Sequence, residues 1–122
     1  MTIAYTDVPA LLREEFPELG VPEPRPEDDP HAILQESLGN AIVAAARSDA
    51  QPQDDPFLSR AFAFIERVAV DGDRLCRDLV QEAICEKLDH DLHREPGHLA
   101  PCMELMGPET RGLMEQLLRG PI

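Results

Sequence analysis

Proline placement constrains this chain more than any other feature. Twelve prolines stand in 122 residues, and most of them fall between apolar runs of helical spacing. Proline lacks the N–H that a helix interior or a central strand needs, yet it fits the first position of a helix. Asp29-Pro30 and Asp55-Pro56 each set an acidic cap before such a proline, and Gly107-Pro108 repeats the pattern with glycine as cap. A chain punctuated in this way is predicted to be a series of helices joined by short loops.

The first helix is expected from about Thr6, as cap, to Phe16, with Val8, Leu11, Leu12 and Phe16 on one side and Pro17 and Gly20 ending it. Residues 20–30, rich in proline and acids, read as an extended, solvated loop. The second helix is expected from Pro30 to Ser48 on Ile33, Leu34, Leu38, Ile42 and Ala45, followed by a polar loop from Ser48 to Asp55. The third carries the widest apolar face, through Phe57, Leu58, Ala61, Phe62, Phe64, Ile65, Val68 and Ala69, and should be central. Asp71-Gly72-Asp73 then breaks the pattern, with Gly72 expected in a left-handed conformation and Asp73 as the next cap.

The fourth helix is expected from Arg74 to Asp91, with Leu75, Cys76, Leu79, Val80, Ala83, Ile84 and Leu88 facing inward and Pro96-Gly97 closing it. A short fifth near His98 to Met106 and a sixth from Pro108 to Leu118 follow, the last apolar through Leu113, Met114, Leu117 and Leu118. No segment has the alternation of a strand. The fold class is therefore all-α: a single domain over 1–122 of five to six helices, as an antiparallel bundle or a short stack of helical hairpins.

Charge limits the partners. The net charge is −13, from 24 acidic and 11 basic side chains. Such a surface repels phosphate backbones and anionic headgroups, which disfavours nucleic acid and membrane surfaces and favours a basic partner. Acidity also serves plain solubility. Met1 to Pro9 has neither a basic stretch nor an apolar one, and no run approaches the ~18 residues of a membrane span, so the cytoplasm is the expected compartment. The odd count of three cysteines, Cys76, Cys85 and Cys102, argues against a disulfide framework.

Several clusters carry candidate chemistry. His90, His93, His98 and Cys102 hold zinc-ligand types, but their spacing matches no zinc signature, and histidine at a helix end also pairs with free carbonyls. No metal or other cofactor is expected. Asp71-Gly72-Asp73 lacks the later ligands of a calcium loop. Carboxylate pairs such as Glu82 and Glu86 have no evident pocket to shift their pKa values, so catalysis is not expected. The acids of the fourth helix and its leading turn, Asp71, Asp73, Asp78, Glu82, Glu86 and Asp89, remain. Like charges at helical spacing weaken an isolated helix, and Lys87 is the chain's one lysine. These six residues are the candidate partner-binding set.

Five short segments, in order, carry a resemblance. They are Leu12-Arg-Glu-Glu-Phe-Pro-Glu-Leu19, Ala63-Phe-Ile-Glu66, Asp71-Gly-Asp73, Cys85-Glu-Lys-Leu88 and Leu105-Met-Gly-Pro-Glu-Thr-Arg111. Together the chain resembles a family of small, all-helical bacterial proteins that look like immunity proteins of polymorphic toxin and contact-dependent competition systems. That resemblance implies a monomer that binds a cognate toxin or effector domain, often basic, and covers its active site without catalytic residues of its own. The alternative expectation is an acidic adaptor or secretion chaperone, which would dimerise and expose an apolar groove.

Overall fold

Helix starts follow the capping chemistry. In the computed structural model, which describes residues 2–48 and 51–120, the Asp29 carboxylate accepts from the His31 N–H at 3.0 Å and opens helix α2 at Pro30. Asp55 accepts from Phe57 and Leu58 N–H groups at 2.8 and 3.4 Å and opens α3, Pro56–Asp71. Asp73 caps α4 through the Cys76 N–H at 3.0 Å. Around them stand α1 (Val8–Glu15), α5 (Pro96–Leu105) and α6 (Pro108–Arg119), with single 3-10 turns at Tyr5–Asp7, Pro17–Leu19 and Pro52–Asp54. Among the described residues the fold is all-α with six helices, as the punctuation requires. Residues 49 and 50 of the expected Ser48–Asp55 loop, and 1, 121 and 122 of the expected domain, lie outside the described residues.

The two long helices each change pitch midway. Helix α2, residues 30–48, runs as α over Pro30–Leu34, as π over Gln35–Gly39, and as α again over Asn40–Ser48. Helix α4, residues 74–92, does the same with its π segment at Val80–Cys85. The two π segments pack on one another. The reason lies in the buried side chains. In α2 these include Leu34, Leu38, Ile42 and Ala46, and in α4 Cys76, Val80, Ile84, Leu88 and Leu92, all spaced by four. An α-helix turns 100° per residue, so each step of four drifts by about 40°. One wider π turn absorbs that drift and keeps each stripe on the core.

One core unites all six helices. Phe16, after α1, is buried edge-on against Phe57 and Phe64 of α3, with ring centroids 5.8 and 5.6 Å away. Arg60 lies 4.9 Å over the Phe16 ring, pairs with Glu18 at 2.9 Å and donates to the Glu15 carbonyl at 2.8 Å. Glu66 of α3 reaches the start of α6, accepting from the Glu109 and Thr110 N–H groups at 3.0 and 2.9 Å and from the Thr110 hydroxyl at 2.8 Å. Arg111 donates to the carbonyls of Met103, Glu104 and Met106, closing the end of α5. Val21 anchors the otherwise largely exposed 21–29 loop.

Several expectations are corrected. Thr6 does not cap α1; it sits in the Tyr5–Asp7 turn, and Asp7 takes the cap position without a side-chain bond. Gly72 is extended (φ −82°, ψ 164°), not left-handed. Its requirement is steric, since a Cβ there would stand 2.3 Å from both the Cys76 Cβ and the Val68 carbonyl oxygen. Extended backbone lets Gly72 bridge to Ile3, with Ile3 N–H donating to Asp71 O at 2.8 Å and Asp73 N–H to Ile3 O at 3.1 Å. Leu75 and Leu118 do not face the core, being 55% and 45% exposed. Pro96-Gly97 does not close α4, which ends at Leu92, but opens α5, where Pro96 takes the first helical position.

Candidate partner-binding face

The six candidate acids serve different ends. Asp73 is committed to structure: one carboxylate oxygen accepts from Cys76 N–H and the other from Tyr5 N–H at 3.3 Å. The Cys76 bond foremost holds its carboxyl below the ordinary aspartate range, against the smaller opposing pull of burial. Asp71, Asp78 and Glu86 are exposed and Asp89 half-buried, and none of the four makes an ion pair among the described residues.

Glu82 faces α2. Its Oε2 stands 2.6 Å from His31 Nε2, off the direction of a good N–H···O bond, so the contact is chiefly electrostatic. On the other side of the ring, His31 Nδ1 meets the Tyr5 hydroxyl at 2.7 Å, and the Asp29 carboxylate lies 3.9 Å away. A carboxylate at Nε2 favours a proton there, which leaves Nδ1 to accept from the Tyr5 O–H in the neutral ring. Burial first, then the charges of Asp29 and Glu82 and the Cys76 thiol, push the Tyr5 phenol above its ordinary range. This row of three groups ties the N-terminal segment to α2 and α4. It holds the phenol protonated, the opposite of what a nucleophile needs.

Lys87, the lone lysine, does not neutralise the face. It is turned inward, 13% exposed, and pairs with Asp91 at 2.7 Å. Gly39 makes room for its stem, because a Cβ at Gly39 would stand 3.2 Å from Lys87 Cδ. Gln35, Glu82, Glu86, Lys87, His90 and Asp91 line a small open cleft of about 200 Å³ between α2 and α4. A second, larger groove of about 560 Å³ lies at the N-terminal end, on α1 and the end of α3, with Ile3, Ala10 and Leu11 as its apolar surface.

The histidine and cysteine cluster does not converge. His93 Nδ1 turns back to the carbonyls of Asp89 and His90 at 3.1 and 3.3 Å, and His98 lies 3.8 Å from Glu95. Cys102 is sealed in the core, where burial pushes its thiol up to about 11. Burial likewise raises Cys76 to about 11 and Cys85 to about 12, far from the thiolate that nucleophilic or metal chemistry requires. Among the described residues, no three His, Cys, Asp or Glu side chains gather as a metal-binding group. None of the described helices is long and apolar enough to cross a membrane.

The segments behind the resemblance are staples of this fold. The Leu12–Leu19 segment supplies Phe16, Glu15 and Glu18 to α3, and Glu66 of one segment caps the Gly107–Thr110 start of another. The family described as Domain of unknown function (DUF7674) has a model that matches residues 9–120. The chain belongs to this family. The match spans α2 to α6 whole and enters α1 at Pro9, leaving Ile3 and Tyr5 outside it. That description gives no function to carry over. Comparison with curated proteins and with solved structures found no match.

Two things escaped sequence reasoning. His31 and Tyr5 lie 26 residues apart and join only through tertiary packing. The inward turn of Lys87 had a faint signal in its i, i+4 spacing to Asp91.

Proposed function

We propose that this protein binds a cationic partner protein, and that it acts as an immunity protein that neutralises a cognate bacterial toxin by direct contact. The observation that carries the reading is the second half of α4. There the one lysine is folded inward against Asp91 while Glu86 remains exposed, with no ion pair among the described residues, and Glu82 is half exposed. A net charge of −13 extends that field over the molecule and would speed encounter with a basic surface. Carboxylates displayed in this way can also occupy a cleft built for an anionic substrate. In this reading the protein is a non-catalytic monomer that meets its toxin in the cytoplasm.

The test needs a candidate partner, sought as a cationic effector domain in the open reading frames next to the one that encodes this protein. The purified pair should associate tightly, and binding should abolish the effector's activity. Reversing Glu82, Glu86 and Asp89 together to Lys should slow association at least about tenfold while the helical spectrum is retained. An unchanged association rate would remove this face, and an effector indifferent to the protein would remove the function.

A second reading, an adaptor or secretion chaperone for an effector, is favoured by the apolar groove beside Ile3 and Leu11. It requires a dimer, so a monomeric mass by light scattering at working concentration would discard it.

A further inference from the structure

We infer that the groove at the N-terminal end is a second contact site, which takes the apolar side chains of a cationic, amphipathic segment of a partner protein. The inference rests on the reading of this protein as a binder of basic partners and gives that partner a further property. Ile3, Ala10 and Leu11 are the apolar part of the groove's lining, and its volume of about 560 Å³ falls within the roughly 300–1,000 Å³ of ligand pockets. Its charged edge is acidic. Arg67 is tied to Glu15 at 3.3 Å, while Asp7 and Asp71 are exposed and make no ion pair among the described residues.

The mode of binding follows from the backbone. Ile3 already spends its N–H on Asp71 O and its C=O on Asp73 N–H. That edge therefore cannot take an added strand, and an occupant must enter by its side chains. A second copy of this chain would bring another −13 to an acidic edge, which disfavours self-association. Aliphatic side chains flanked by Lys or Arg satisfy both the surface and the edge. The apolar anchor would sit in the groove while its cations meet Asp7 and Asp71.

The test is an amide chemical-shift titration of the full chain with a synthetic Leu/Lys peptide, Leu at i, i+3, i+4 and i+7. A scrambled peptide of the same composition serves as control. Saturable shifts at Ile3, Ala10, Leu11 and Asp71 with the patterned peptide are expected. Ala10→Glu places a polar side chain in the groove from an exposed position in the first turn of α1, where an acid suits the helix. It should weaken the patterned peptide about tenfold despite its added negative charge, with an unchanged Tm. Equal or tighter binding to Ala10→Glu, or shifts confined to Glu82 and Glu86, would overturn the groove while leaving cation binding by α4 in place. Failure of both peptides to bind would overturn the groove together with the attraction for cations on which the broader reading stands.

Discussion

At the residue scale, acids in this protein divide into those that build and those that remain free. Glu66 builds. Burial alone would raise its pKa, but the N–H groups of Thr110 and Glu109 and the Thr110 hydroxyl outweigh it and hold the carboxyl below its ordinary range. It serves as a helix cap supplied from another helix, and Gly107 is required beside it because a Cβ there would stand 2.3 Å from the Glu66 Cδ. Glu66→Gln should therefore cost about 1–2 kcal/mol at pH 7, the range of a lost cap. A group with a depressed folded pKa stabilises above its unfolded pKa and loses that contribution as pH falls through the folded value. The Tm gap between Glu66→Gln and the parent should accordingly narrow below about pH 4. Thermal melts at pH 7 and pH 3 check both halves, and a gap independent of pH would contradict the capping role. Sequence alone marked Asp29, Asp55 and Asp73 as caps because each lies within three residues of the N–H it accepts. Glu66 lies 44 residues from Thr110, a separation that no local signal spans.

At the element scale, the π segments of α2 and α4 follow from apolar spacing that is slightly too long. Cys76, Val80, Ile84, Leu88 and Leu92 are evenly four apart, and over sixteen residues an unbroken α-helix would carry them about 160° off the core. That regularity stands in the sequence, but it reads as ordinary helical periodicity until a fixed neighbour demands one face. The π turn amounts to one extra residue, so its removal should restore a regular helix without turning either half away. Deletion of Gln81 is expected to leave the fold intact at a cost under about 2 kcal/mol. Deletion of the exposed Ala63 in the unbroken α3 rotates everything after it by about 100° and should cost more than about 4 kcal/mol. Urea midpoints of the two deletions decide it, and equal losses would mean that the π segment has a purpose other than register.

At the scale of the whole molecule, charge and core are nearly separate problems. The core is aliphatic with a small aromatic cluster at Phe16, Phe57 and Phe64, and it needs none of the excess carboxylates. The net −13 therefore weighs on the folded state through self-repulsion, which salt screens. The Tm should rise as NaCl increases from about 10 mM to 0.5 M, while association with a cationic partner slows over the same range. A Tm that falls with salt would mean that ion pairs such as Arg60 with Glu18 and Arg67 with Glu15 outweigh the repulsion.

Taken alone, the sequence determined the helical class, the starts of α2, α3, α4 and α6, and the acidic character. Each of these follows from chemistry within a few residues: a cap before a proline, an apolar period, a sum of charges. The tertiary structure decided which acids are free. Distance in the chain hides whether Glu82 meets His31 or whether Asp73 holds Tyr5. It also decided that Ile3 latches onto Gly72 and thereby forms one wall of the groove. Such contacts depend on where packing carries whole helices, and no local rule in the chain encodes that.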